Sequence, residues 1–127
     1  MAKTLQIIEG AYRCNVEEQD DPAVWISLAM KGAGADVSVL LSGNAVCYAA
    51  RAQDASGLSF GGRKQAWPPR PQEEISRLVG KGVEVLVVED DVAERGLERG
   101  DLVDGLKPVS RAQLPKLFAG YDRLWRW

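Results

Sequence analysis

The two cysteines of this 127-residue sequence, Cys14 and Cys47, are the side chains best suited to nucleophilic chemistry. A thiol reacts as its thiolate, which a nearby cation or the N-terminus of a helix stabilises. The sequence predicts a helix over residues 45–52, which places Cys47 in a first turn, and Cys14 directly follows Arg13. Both are candidate nucleophiles. The competing interpretation of Cys47, which we favour, is a small buried apolar side chain.

The absence of histidine removes several kinds of chemistry. A serine or cysteine triad, a histidine-ligated zinc and a histidine phosphorelay within this chain are all excluded. Two cysteines are also too few for a four-cysteine metal site or a disulfide framework. The acidic residues near positions 17–21 and 89–91 could offer oxygen ligands to magnesium, but we favour a solvated acidic surface. We therefore predict neither a metal nor another cofactor.

The charge and the hydropathy of the sequence argue against nucleic-acid and membrane partners. Sixteen basic and eighteen acidic side chains give a net charge of −2, which does not favour a nucleic-acid partner. The start of the chain does not resemble a secretion signal, and the apolar runs are too short to span a membrane. We expect a soluble, cytoplasmic protein without a membrane partner.

Strand-like and helix-like segments alternate along residues 1–127, which we take as a single domain. This order predicts an α/β fold: a three-layer sandwich with a mostly parallel five-stranded sheet and helices on both faces. The predicted strands are 4–8, 36–41, 83–88, 106–109 and 121–127. The predicted helices begin at Pro22 (capped by Asp21), at Ala45, at Pro71, near Val92 and at Pro115. Residues 54–71, rich in glycine and proline, form a long irregular segment.

Ligands of parallel sheets bind beyond the carboxyl ends of the strands. This rule selects the loops 10–21, 42–46, 89–94 and 108–113 as the rim of a pocket, and both cysteines lie on or just beyond that rim. The rim-pocket residues that we predict are Tyr12, Arg13, Asn44, Asp90, Asp91 and Arg95.

The aromatic residues predict a core and a subunit contact. Trp25 falls on the apolar face of its helix and is expected in the core. Phe60 and Trp67 favour some burial of the irregular segment. Trp125 and Trp127 alternate along a terminal strand of the kind found at a sheet edge, where cover is needed. We expect the tryptophan-rich end and the irregular segment to be buried between subunits.

Several motifs together resemble the DsrE/DsrF-like family, which includes the YchN-like proteins and the sulfur-relay subunits of the Tus type. Each motif is short, but their order and spacing are specific. They are Lys81-Gly82-Val83 with the strand that follows and Arg95-Gly96-Leu97, the strand 36–41 followed by Gly43-Asn44-Ala45-Val46, the segment 102–106, and residues 114–127 with Tyr121-Asp122-Arg123-Leu124.

The resemblance implies a small parallel α/β domain that forms trimers or hexamers, and persulfide transfer on a cysteine just after the third strand of the family. The positions where the family places cysteines are Val88 and Asp91 in this sequence, and neither side chain can carry sulfur. We favour a non-catalytic or small-ligand-binding subunit linked to intracellular sulfur metabolism, a homo-oligomer or a partner of other sulfur-relay subunits. The alternative is a persulfide carrier of the sulfurtransferase type that uses a displaced cysteine, Cys47 or Cys14.

Overall fold

The structure is a computed structural model that describes residues 1–13, 21–54 and 57–127. The strands are β1 (Lys3–Ile8), β2 (Asp36–Leu41), β3 (Ser59–Phe60), β4 (Arg63–Lys64), β5 (Glu84–Val88), β6 (Lys107–Val109) and β7 (Arg123–Arg126). The α-helices are α1 (Pro22–Gly32), α2 (Pro71–Gly80), α3 (Glu89–Glu94) and α4 (Leu114–Ala119). Short 3₁₀ helices cover Gly43–Ala49, Arg99–Asp101 and Arg111–Gln113.

Five strands form one sheet in the order β6–β5–β2–β1–β7. All four pairings are parallel, so the carboxyl ends of these strands share one edge of the sheet. Strands β3 and β4 form a separate antiparallel hairpin within the segment predicted to be irregular. The predicted parallel α/β sheet is confirmed.

Two apolar cores lie on opposite faces of this sheet. The larger one packs α1, α2 and the 3₁₀ segment Gly43–Ala49 against the sheet, with Ile8, Val39 and Val85 in its centre. The smaller one packs α4 against Leu5, Leu40 and Leu86. Central strands covered on both faces bury consecutive side chains. Accordingly, β5 is apolar from Val85 to Val88, and β2 is apolar from Val37 to Leu41 except for the buried Ser38.

Helix α1 begins where the sequence predicts. The buried Asp21 is its N-cap, and its Oδ1 accepts a hydrogen bond of 2.8 Å from the backbone N–H of Ala23. Pro22 occupies the first helical position, where the missing N–H costs nothing. Trp25, expected in the core, is instead 58% exposed. The prediction was wrong because Ala23, Val24 and Ser27 form the buried stripe, and Trp25 is turned about 100° from Val24.

The predicted helix over 45–52 was also wrong. The chain forms a 3₁₀ helix over Gly43–Ala49, and Cys47 is its fifth residue, beyond the first turn. Backbone pairing with a distant segment ends this helix. The N–H of Arg51 donates to the carbonyl of Asp101, and the N–H of Val103 donates to the carbonyl of Ala49, each at 2.8 Å.

Helix α3 follows β5 without an intervening loop and begins at Glu89, three residues before the predicted position. Asp90 and Asp91 therefore lie in its first turn, where the helix dipole favours carboxylates. The side chains of Phe60 and Trp67, expected to be partly buried, are exposed in this single chain. Phe60 belongs to the hairpin and Trp67 follows it; each strand of this hairpin has only two residues, and both strands are exposed.

Candidate functional site

Asp91 is the centre of a polar cluster at the carboxyl edge of the sheet. Its side chain is only 12% exposed. One carboxylate oxygen accepts a hydrogen bond of 2.8 Å from the backbone N–H of Gly43, and the other accepts one of 2.6 Å from Nη2 of Arg111. The residue thus joins the loop after β2, the start of α3 and the segment after β6, which are three of the four loops predicted for the rim.

Arg111 contacts three of the four acidic side chains of α3. Its Nη2 also donates to Glu94 at 2.9 Å, and its backbone N–H donates to Oδ1 of Asp90 at 2.7 Å. Two of these groups have shifted pKa values. The hydrogen bond from the backbone of Arg111 lowers the pKa of Asp90, and the carboxylates of Asp91 and Glu94 raise the pKa of Arg111.

Arg95 forms a second link between α3 and the loop after β2. Its Nε and Nη2 both donate to Oδ1 of Asn44, at 3.1 and 2.9 Å, and its Nη1 donates to the backbone carbonyl of Asp91 at 3.1 Å. Four of the predicted rim residues, Asn44, Asp90, Asp91 and Arg95, are therefore brought together. We call them, with Glu94 and Arg111, the Asp91 cluster.

Tyr12 and Arg13, the other predicted rim residues, contact a second group built around Tyr48. The buried hydroxyl of Tyr48 donates to Oδ2 of Asp21 at 2.6 Å and accepts from the backbone N–H of Arg13 at 3.2 Å. Nε of Arg13 lies 3.6 Å from the same carboxylate oxygen. The ring of Tyr12 meets that of Tyr48 edge to face, with centroids 5.3 Å apart, and its hydroxyl contacts Gln53.

Tyr12 is also the one non-glycine residue with a positive φ, 58°, among the described residues. Asn and Asp tolerate this conformation better than an aromatic residue does. The edge-to-face contact and the hydrogen bond to Gln53 stabilise it there, and Gln53 is in turn anchored by the carbonyls of Tyr48 and Ala50. This group therefore fixes the entry of the chain into the first rim loop.

Of the two cysteines, the structure describes only Cys47. Cys47 is a free, partly buried cysteine that packs against the larger core. Because it is the fifth residue of a 3₁₀ helix, the argument that a helix N-terminus stabilises its thiolate no longer applies. Cys14 lies outside the described residues, as do the acidic residues Glu17, Glu18 and Asp20.

The Asp91 cluster is suited to holding loops together. Each carboxylate in it accepts hydrogen bonds from Arg111 or from a backbone N–H. Within the described ranges, no group of three or more cysteine and acidic side chains is arranged to hold a metal ion. No helix in those ranges is long and apolar enough to cross a bilayer.

Sequence reasoning missed Arg111, Glu94 and Tyr48. Arg111 lies in the predicted rim loop 108–113, and it is the single cation there among loops rich in acids. That charge contrast was a usable signal. Tyr48 gave none, because its role depends on the position of Asp21, 27 residues earlier.

No protein-family model and no curated protein matches the sequence. Solved structures, however, match along its whole length. The crystal structure of the YchN protein from E. coli is similar with a TM-score of 0.76 and 19% identity, and the match covers 100% of both chains. The chain has the DsrE/YchN-like fold. The protein of unknown function MTH1491 from Methanobacterium thermoautotrophicum is similar with a TM-score of 0.60 and 16% identity, again over 100% of both chains.

These similarities confirm the fold that the sequence motifs implied. At such low identity a structural match carries the architecture and no activity. The sequence resemblance places family cysteines at two positions, Val88 and Asp91, and in this structure Asp91 is ion-paired with Arg111.

Proposed function

We propose that this protein is a non-catalytic subunit of an oligomeric assembly linked to intracellular sulfur metabolism. One observation carries the proposal: the carboxylate of Asp91, at one of the two positions where the resemblance places a cysteine, accepts hydrogen bonds from the N–H of Gly43 and from Arg111. The other position is Val88, which has no reactive group. A carboxylate cannot form a persulfide, and this one is nearly buried. The rim is held as a fixed surface.

The resemblance to the DsrE/DsrF-like family supports the link to sulfur metabolism. In such an assembly a subunit with a fixed rim would present a shaped surface to a sulfur-bearing neighbour. The partners would be further copies of this chain, as trimers or hexamers, or other sulfur-relay subunits.

The alternative function, a persulfide carrier with a displaced thiol, is tested directly by sulfur loading. In that reaction a cysteine thiolate attacks inorganic polysulfide, takes up one sulfur atom and releases a polysulfide shortened by that atom. The native protein, Cys47→Ser and Cys14→Ser are incubated with polysulfide, and their intact masses are followed over time, with glutathione as a reference thiol.

The proposal predicts that neither cysteine gains sulfur faster than glutathione does. A gain well above the glutathione rate that disappears in one serine variant and persists in the other would establish the carrier function. The non-catalytic role would then be wrong.

A further inference from the structure

A cavity of about 300 Å³ opens beside α3. Glu89, Val92 and Ala93 of this helix line it, whereas Asp91 and Glu94 point to Arg111. Given the 100° turn per residue of a helix, the cavity and the Asp91 cluster lie on different sides of α3. The cavity is therefore a separate site.

The interior of the cavity is apolar. Val87 and Pro108 are aligned neighbours on β5 and β6 and form its floor. Val92, Leu97 and Leu102 form the walls, and Val92 and Leu102 are also buried members of the larger core. A volume of this size lies at the lower end of the range for small-molecule sites, which are mostly apolar with a few polar groups.

Two opposite charges stand at the mouth. Glu89 and Arg99 line the cavity and form an ion pair, and their side chains are 47% and 73% exposed. Both groups retain capacity for further hydrogen bonds, since a guanidinium has five donors and a carboxylate accepts about four hydrogen bonds. The third charged lining residue, Glu98, is already engaged by the backbone N–H of Asp101 in a capping box.

We propose that this cavity binds a free apolar α-amino acid. The side chain of the ligand enters the apolar interior, its ammonium group pairs with Glu89, and its carboxylate pairs with Arg99. At about 30 Å³ per molecule, the cavity has the volume of about ten water molecules, which leaves room for an amino acid the size of leucine. A zwitterion can form an ion pair with both Glu89 and Arg99. A ligand with a single charge can pair with only one of these two side chains.

This inference goes beyond the proposed subunit role, and it holds whether or not a cysteine accepts sulfur. The test uses the native protein and four probes: L-leucine, 4-methylpentanoate, isopentylamine and glycine. Saturation-transfer NMR at neutral pH gives a dissociation constant for each probe. The probes remove in turn the ammonium group, the carboxylate and the side chain.

Leucine is expected to bind about ten-fold more tightly than the other three probes. Arg99→Gln should reduce leucine affinity to the level of isopentylamine, and Ala93→Leu, which narrows the cavity, should weaken leucine binding as well. Arg51→Gln, in another exposed ion pair with Asp104, is the matched control and should bind leucine as the native protein does.

Two results would overturn the proposal. Equal affinity for leucine and the singly charged probes would show that Glu89 and Arg99 do not recognise the two charges of an amino acid together. Absence of leucine binding in the native protein, including the case in which another copy of the chain fills the cavity, would show that the cavity is not an amino-acid site.

Discussion

The residue type at position 91 decides which chemistry this part of the rim can perform. A thiol at this position would be a potential nucleophile, but a carboxylate acts through hydrogen bonds and charge. The nearly buried carboxylate of Asp91 accepts hydrogen bonds from the backbone N–H of Gly43 and from Arg111. Removing either donor would leave a poorly solvated charge, which is the costly case for buried polar groups. The role of Asp91 is therefore structural: its carboxylate holds the rim loops together.

Asp90 gives the cluster a pH dependence. The hydrogen bond from the backbone of Arg111 lowers the pKa of Asp90 below its usual 3.8. Because the folded state binds this proton more weakly than the unfolded state, the stabilisation is complete above about pH 4 and is lost as the pH falls through the folded pKa. Urea unfolding of native protein and Asp90→Asn from about pH 6 to pH 3 checks this. The stability advantage of the native protein should shrink as the pH falls.

A difference between the two proteins that stays constant over this range would contradict the assignment. NMR titration of the Asp90 carboxyl carbon gives an independent reading. Its midpoint should lie below that of aspartate in an unfolded peptide.

At the scale of elements, the turn before β6 depends on a glycine. Gly105 has a φ of +87°, and a Cβ built on it would lie 2.5 Å from Cγ1 of Val79 on α2. The turn can therefore approach α2 this closely only without a side chain. The approach fixes β6, whose end leads into the segment of Arg111.

Gly105→Ala should lower the free energy of unfolding by about 3 kcal/mol, from the left-handed backbone and the clash together. The matched control is Gly96→Ala, with a φ of +70° and nothing within 4 Å of the added Cβ. It should cost about 1 kcal/mol, from the backbone alone. Chemical denaturation measures both. Equal losses would contradict the close approach, and Val79→Ala should relieve the larger loss.

The elements that the sequence predicts well are those with local causes. Strands β2 and β5 follow from their largely apolar sequences, and α1 follows from Asp21 and Pro22. The wrong prediction over 45–52 has a distant cause. The segment Gly43–Ala49 ends as a 3₁₀ helix because Ala49 and Arg51 pair with residues 101–103.

For the candidate site, the sequence predicts which residues lie at the rim but not which of them pair. The parallel topology placed Asn44, Asp90, Asp91 and Arg95 at one edge, because carboxyl ends of parallel strands converge there. Which side chains then pair depends on approach across the rim. Arg111 and Asp91 are separated by 20 residues, and no local pattern links them.

At the scale of the whole molecule, exposed apolar groups accompany an uneven charge. Trp125, on the edge strand β7, is 46% exposed, and Phe60 and Trp67 are exposed on or next to the hairpin. Residues 57–70 contain three basic and no acidic residues, which leaves −5 on the rest of a chain whose net charge is −2. We call residues 57–70 the basic arm. Its positive charge and exposed aromatic side chains would complement the acidic remainder of a second copy of the chain.

We therefore predict self-association through this arm. Light scattering at about 0.1 M salt should give the mass of three or six copies, and the double variant Arg63→Glu, Lys64→Glu should give a smaller species. Both side chains are exposed, so folding should be unaffected, and circular dichroism checks this. A native protein that is monomeric at working concentration would contradict the prediction.

The central claim, that the pair of Asp91 and Arg111 holds the rim together, is tested most directly by a double-mutant cycle. The free energy of unfolding is measured for native protein, Asp91→Ala, Arg111→Ala and the double variant. If the two side chains stabilise the rim through each other, the double variant loses clearly less stability than the sum of the single losses. Strictly additive losses would mean that the pair does not hold the rim.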